Sequence, residues 1–279
     1  MGDCDGPLRP LLPALIAAAP SLPLLVHPTG LSVPKGSTEI GLELVMPEGG
    51  KTRVRKLIGR SRRVATGKYP SWKLGRLVHW ESSQEAKVFR LLDACPGIKK
   101  FAEQPFLIRY LHGESWRQHV PDAAFCAYHG GLAVIEIKSS LDKGRHEALE
   151  RAEILGPRFA AMGVFYGVVL QEHLDAGLAL ANARLLLRRG SQQALQSDHE
   201  QVIQMVADQR EIAAEDLTGR RLDANYALCV ASSMVLRGHL SVNWSTARHS
   251  PLVFSSLREN NQQESLSWVL QVFGVSRPS

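Results

Sequence analysis

Asp122, Glu136 and Lys138 stand in the pattern P-D…E-x-K, written out as Pro121-Asp122 and, after a short apolar interval, Glu136-Ile137-Lys138. Two carboxylates and an amine in this order suit a hard divalent cation better than a core. Mg²⁺ takes oxygen ligands in octahedral geometry, keeps several waters, and often binds through one or two carboxylates plus a substrate phosphate. Asp122 and Glu136 supply such oxygens, with the Ile137 backbone carbonyl as a third ligand and Mn²⁺ as a substitute metal. Lys138 then stands beside the attacking water, and the cation stabilises charge on a scissile phosphate. That chemistry is phosphodiester hydrolysis. The pattern is short, and a surface strand with Glu136 and Lys138 merely solvated is the plain alternative.

Positioning these groups requires a β-hairpin. Two apolar runs flank His129-Gly130-Gly131, a hairpin loop signature. With those residues as the loop, Tyr128 pairs with Leu132, Ala124 lies opposite Glu136 and Asp122 opposite Lys138. Opposed residues of an antiparallel pair share a face. Asp122, Glu136 and Lys138 therefore converge on one side, and Ile135 and Ile137 on the other. No catalytic histidine is indicated; His79, His112 and His129 read as loop or surface residues.

A fourth acidic group comes from upstream. Residues 82–94 read as a helix with Ser82 as N-cap and Val88, Phe89, Leu91 and Leu92 as apolar positions. Glu85, Val88 and Leu92 are spaced i, i+3, i+7, so Glu85 belongs to the inward face as a further metal ligand. Ser82-Ser83-Gln84-Glu85 is equally an S-x-x-E capping box, in which Glu85 bonds back to the helix start. Spacing leaves the two roles open, and Glu81 is a weaker rival for the same cation.

The 279 residues fit one large domain or two modest ones, and 44% apolar content allows a real core. Cysteines at 4, 95, 126 and 229 form no C-x-x-C pair, which argues against a zinc ribbon or disulfide framework and fits a reducing cytoplasm. The apolar run Leu11–Val26 is interrupted by Pro13, Pro20 and Pro23, which argues against a membrane-spanning helix. Asp3 and Asp5 precede it with Arg9 as the only basic residue, a poor match to a signal peptide. Residues 1–50 read as an N-terminal arm.

Net charge is +6 with a pI near 9.3, and much of the positive charge sits in one block. Between Lys51 and Arg76 come Arg53, Arg55, Lys56, Arg60, Arg62, Arg63, Lys68 and Lys73, without an acidic residue. Such a run repels itself unless an anion neutralises it. A solvated basic surface is the simple reading. Tyr69 and Trp72 among the cations favour nucleic acid, whose phosphates take the charge while rings pack on sugars or bases.

Further along, Phe101–Tyr110 reads as a strand and Arg145–Phe159 as a helix with Leu149, Ala152 and Leu155 on one side. Val164–Leu170 is a buried strand by composition. Strand, helix, strand in this order suggests a crossover onto the same sheet. After about residue 180 come two amphipathic helices, Asp198–Gln209 and Asp223–Arg237, the second closed by Gly238. Short apolar stretches His239–Trp244 and Pro251–Phe254 follow. Helices followed by a small hairpin look like a winged helix.

Taken together, G-R-L-V-H-W-E-S-S-Q-E-A-K-V-F-R-L-L, F-A-E-Q-P-F, V-P-D and I-E-I-K, in that order, resemble the TnsA family across residues 70–140. These are endonuclease subunits of heteromeric DNA transposases. The resemblance implies a mixed α/β fold: a restriction-endonuclease-like PD-(D/E)xK core at 51–180, basic segment included, and a winged-helix-like, mainly helical domain at 181–279. It implies that Glu85, Asp122, Glu136 and Lys138 are catalytic and that Gln104 lies on a core strand near them. It implies double-stranded transposon-end DNA as substrate, cut at the 5′ ends, with a TnsB-like transposase and a TnsC-like AAA+ ATPase as partners in a nucleoid-associated, cytoplasmic setting. Some family members carry Gln where this chain has Glu136. A restriction- or repair-type nuclease with the same core, and a non-catalytic DNA-binding scaffold, are the alternatives.

Overall fold

In the computed structural model, residues 23–54, 65–128, 130–175, 178–191, 195–217, 223–244, 252–256, 269–270 and 273 are described. Short strands open the chain: β1 (Leu24–Val26), β2 (Ser32–Pro34), β3 (Gly36–Ser37) and β4 (Leu42–Val45). The hairpin β5 (Gly67–Ser71) and β6 (Arg76–Trp80) leads into helix α1 (Ser83–Ala94). Strands β7 (Ile98–Glu103), β8 (Leu107–His112), β9 (Ser115–His119), β10 (Ala123–Ala127) and β11 (Leu132–Lys138) follow. Helix α2 (Arg145–Ala161) connects to β12 (Val164–Leu170), then α3 (Gln171–Asp175), α4 (Ala179–Gly190) and α5 (Gln196–Gln209). The last elements are β13 (Glu211–Ala213), α6 (Ala224–Leu236), β14 (Leu240–Val242) and β15 (Val253–Ser256). The class is mixed α/β. Among the described residues no helix is long and apolar enough to cross a membrane.

The organising sheet has the order β12-β11-β10-β7, with β11 and β12 parallel and joined through α2. Its two faces divide the core. Ala123, Phe125, Ile135 and Ile137 point toward α1, where Val88, Phe89 and Leu92 are fully covered. Phe89 and Phe101 stack there with ring centroids 6.1 Å apart, and burying each such ring stabilises the fold by roughly 1.5–3 kcal/mol. Ala102, Ala124 and Val134 face the other way, onto Ala148, Ala152, Leu155 and Phe159 of α2. The buried stripe of α2 therefore runs one residue before Leu149, which is 39% exposed.

Other expectations are corrected by backbone chemistry. Phe101–Tyr110 is two strands in two sheets, because Gln104 takes a left-handed φ of 43° and Pro105 has no N–H to continue a ladder. The turn at Gly113-Glu114 opens an additional strand, β9, which pairs back on β8. The basic stretch holds a hairpin, β5–β6, whose turn is gripped by buried Asp93. Asp93 accepts from the Tyr69 and Ser71 hydroxyls and from the Trp72 and Lys73 amides.

The first core face continues into the later helices. Cluster members run from Tyr69 through α4 and α6 to Phe273, whose ring meets Phe125 edge-on at 6.0 Å. Helix α6 starts at Asp223, whose carboxylate accepts from the Asn225 and Tyr226 amides. It crosses α4 closely at Gly190. Strands β13, β15 and β14 form a three-stranded antiparallel sheet beside these helices. Residues 1–22, Cys4 among them, and 275–279 lie outside the described residues; Cys126 and Cys229 are free thiols.

Candidate active site

The turn of the hairpin that carries the acids sits one residue earlier than spacing implied, with the Ala127 amide donating to the Gly131 carbonyl at 3.2 Å. Its regular pairs are Cys126↔Leu132, Phe125↔Ala133, Ala124↔Val134 and Ala123↔Ile135. Ala124 thus faces Val134, two residues short of the expected Glu136. The cause is Tyr128, whose N–H is taken by the Gly97 carbonyl rather than by β11. Gly130 and Gly131 both adopt positive φ, at 87° and 90°, to complete the shifted turn. His129 lies outside the described residues. A two-residue slip leaves the faces unchanged because side chains alternate with period two.

Asp122 sits where the ladder ends. Its carbonyl accepts from the Gln104 amide at 3.0 Å, and its own amide donates to the Ile135 carbonyl at 3.1 Å. One carboxylate oxygen, Oδ2, accepts from the Ile137 amide at 2.6 Å. The contribution of Ile137 seen here is thus its N–H rather than its carbonyl. The Gln104 carbonyl in turn accepts from the Val54 amide, so the start of the basic block is tied to the Asp122 strand.

Of the two roles left open by its spacing, Glu85 takes the capping one. Its Oε2 accepts from the Glu81 amide at 2.9 Å and its Oε1 from the Ser82 hydroxyl at 3.0 Å, while Ser82 Oγ caps the Glu85 amide at 3.1 Å. It is a capping box reaching one residue further back. The same carboxyl is buried and feels the charge on Asp122. Burial and then Asp122 push its pKa up to about 7, against the pull of the Glu81 amide and Ser82 hydroxyl. Burial likewise raises Asp122, with the Lys138 charge and the Ile137 amide pulling it down. Among the described residues neither acid makes an ion pair.

Glu136 has a different environment. It is fully buried, and Arg151 grips it with two parallel bonds, Nε to Oε1 and Nη2 to Oε2, each 2.8 Å. The Tyr166 hydroxyl donates to Oε1 at 2.5 Å, and His119 Nε2 lies 3.2 Å from the same oxygen. Burial would raise this acid, but Arg151 and His119 hold it well below the usual carboxylate range. Burial and the Glu136 charge drive Tyr166 far upward. Lys138 Nζ reaches 4.0 Å from Glu136 Oε2 and 3.9 Å from Asp142 Oδ2.

A divalent cation suits part of this donor set. Glu85 and Asp122 fit: the Asp122 charge raises the proton affinity of Glu85, and positive charge between them relieves that. Glu136 is occupied by Arg151. Among the described residues no group of three or more His, Cys, Asp or Glu side chains is arranged to hold a metal.

Arg151, Tyr166 and His119 were not anticipated from sequence. Arg151 lies three residues after buried Ala148, at the rim of the α2 stripe, and Tyr166 places a hydroxyl in an otherwise apolar strand. A buried tyrosine hydroxyl usually finds a partner. His119 precedes Asp122 by three positions. Those were the available signals.

The basic residues separate into three groups. Arg55, Lys56, Arg60, Arg62 and Arg63 lie outside the described residues. Lys68 is exposed, and Arg53 is half-buried. Lys73 and Arg76 have internal partners. Lys73 Nζ donates to the Cys95 and Ile98 carbonyls at 2.6 and 2.5 Å, closing the C-terminal end of α1, and burial pushes its pKa down to about 8. Arg76 forks onto buried Glu103 with two 2.7 Å bonds. Tyr69 is buried on Asp93, whereas Trp72 is 37% exposed and carries the Arg237 guanidinium 5.0 Å from its ring centre.

No protein-family model and no curated protein matches this chain. A solved structure titled protein VC1899 from Vibrio cholerae is similar at 19% identity over 31% of this chain and 22% of that one, with a TM-score of 0.23. The chain thus spans about a fifth of that protein's length, and a likeness of this extent carries no argument about fold or activity.

Proposed function

We propose that this chain is a metal-dependent DNA endonuclease, hydrolysing phosphodiester bonds at the 5′ ends of a transposon as the TnsA-like subunit of a transposase complex. The observation that carries the reading is the pairing of buried Glu85 with half-buried Asp122, beside Lys138. Two acids in mutual repulsion form a place prepared for a dication and a phosphate. The fold assignment goes with it: a PD-(D/E)xK core built on β7, β10, β11 and β12, followed by a winged-helix-like unit.

Glu85 and Asp122 would hold Mg²⁺, or Mn²⁺ in its place, which supplies charge stabilisation for the phosphate in flight. Asp122 is held in position by the Ile137 amide. Lys138, mostly shielded, holds the attacking water in line or lowers its pKa through its charge. The α1 cap fixes Glu85 before any ligand arrives, so little reorganisation is left for the reaction. The basic block that begins at Lys51, tied toward this site where the Val54 amide donates to the Gln104 carbonyl, neutralises DNA phosphates. TnsB-like and TnsC-like partners, and a DNA-associated cytoplasmic setting, complete the proposal.

A strand-resolved cleavage assay on transposon-end DNA, with and without a TnsB-like partner, tests it. The wild type should nick the 5′ strand in Mg²⁺, and Asp122→Ala should bind DNA without nicking. Undiminished cutting by that variant would remove the mechanism. A wild type that binds but never cuts would indicate a scaffold, and cutting unrelated to transposon ends a restriction- or repair-type enzyme.

A further inference from the structure

Glu136 occupies the sequence position of a metal ligand, yet its oxygens are already engaged. An ionised carboxylate offers about four lone-pair sites. Oε1 takes Arg151 Nε and the Tyr166 hydroxyl and has His119 Nε2 at 3.2 Å; Oε2 takes Arg151 Nη2. The guanidinium fork is the strongest pairing open to a carboxylate and cancels its charge. Ligating a dication would oblige Glu136 to release Arg151, leaving a half-buried cation without its partner, the costly direction for such a pair. Glu85 and Asp122, by contrast, meet only amides and a hydroxyl.

The partners of Glu136 come from three different elements: Arg151 from α2, Tyr166 from β12 and His119 from β9. Together they pin β11 at the residue before Ile137, whose amide holds Asp122, and two before Lys138. We propose that Glu136 is a positioning residue, withheld from the cation by Arg151, and that it acts by fixing the β11 segment that presents the Ile137 amide and the Lys138 amine to a cation held on Glu85 and Asp122. The inference rests on the nuclease reading of the same site and narrows its ligand set.

Its test is nuclear magnetic resonance on the full chain during Mg²⁺ titration, following the Ile137 amide and the Arg151 Nε–H signal, the latter assigned with Arg151→Lys. The expected result is a saturable shift of the Ile137 amide while Arg151 Nε–H stays protected from exchange with water. Loss of that protection at Mg²⁺ saturation, with the Ile137 shift present, would overturn the inference alone. No saturable shift at Ile137 would overturn both it and the nuclease reading. A charge-neutral double variant, Glu136→Gln with Arg151→Gln, gives a second measure by Mn²⁺ titration calorimetry. It should weaken the Kd by no more than roughly tenfold, the low end for losing an outer-shell support, whereas Asp122→Asn disturbs a ligand itself and should weaken it further. Equal weakening by both would count against the inference.

Discussion

The Ile137 amide donates to the Asp122 carboxylate across 2.6 Å. A residue whose side chain is committed to the α1 core thereby holds, through its backbone, the acid at the end of the neighbouring strand. Core packing and site geometry are linked at that bond: moving β11 to repack Ile135 or Ile137 would move the carboxylate as well. We expect Ile137→Ala to lower cleavage more than its effect on thermal stability accounts for, read as a fall in kcat at a temperature where the variant is fully folded.

Glu85 makes stability depend on pH. Its pKa is about 7 in the fold against an ordinary 4.5. The folded state therefore holds the proton more tightly than the unfolded one. Stability from this group is complete below about pH 4.5, declines as pH rises, and is lost above about pH 7, by about 3 kcal/mol in all. Glutamine keeps the capping box. Glu85→Gln should unfold at higher urea than the wild type at pH 8 and lose that advantage near pH 4.5. A wild-type curve flat across this window would refute the assignment.

Arg76 and the arginines at 60, 62 and 63 should behave oppositely. Arg76→Ala leaves Glu103, 1% exposed, as a buried unpaired charge, a loss of roughly 3–5 kcal/mol. We expect lower denaturation midpoints with the salt dependence of DNA binding unchanged. Neutralising Arg60, Arg62 and Arg63 should instead weaken DNA affinity and flatten its salt slope, by about one unit for each phosphate that is no longer neutralised. Filter binding across a salt series separates the two effects.

Asp93 is the anchor of the β5–β6 turn. Replacing it with asparagine removes the charge and sets an NH₂ group against two hydroxyls and two amides that all donate to it. Unsatisfied buried donors cost about 1–3 kcal/mol each, so Asp93→Asn should destabilise by roughly 3 kcal/mol or more. Hydrogen exchange should localise early opening to residues 67–80.

Gly190 permits the α4–α6 crossing. A Cβ there would stand 2.8 Å from the Ser232 carbonyl carbon and 2.7 Å from Leu236 Cδ1. Main chain on one side cannot yield cheaply, so Gly190→Ala should cost about 1–3 kcal/mol as overpacking. Calorimetry gives the shift directly.

Local rules carried a large part of the molecule. Ser82 and Glu85 announced the start of α1, Asp223 and Gly238 bracketed α6, and alternation in Leu132–Lys138 put Glu136 and Lys138 on one face whatever the register. These features depend on groups a few residues apart, where backbone geometry alone sets the encounter. The DNA ends, the partners and the metal have no such local test and stand as proposals.

What the sequence by itself determined was therefore where α1, α2, α5 and α6 run, though not α4, and which side of a strand Glu136 and Lys138 take. Tertiary structure alone decided the partners. Arg151, Tyr166 and His119 reach Glu136 from a helix and two strands that become neighbours only once α2 has carried the chain back onto the sheet, and Asp122 meets Glu85 only because α1 packs on the opposite face. Spacing along the chain cannot encode such meetings, because a charge pair formed across layers depends on how elements dock rather than on how many residues separate them.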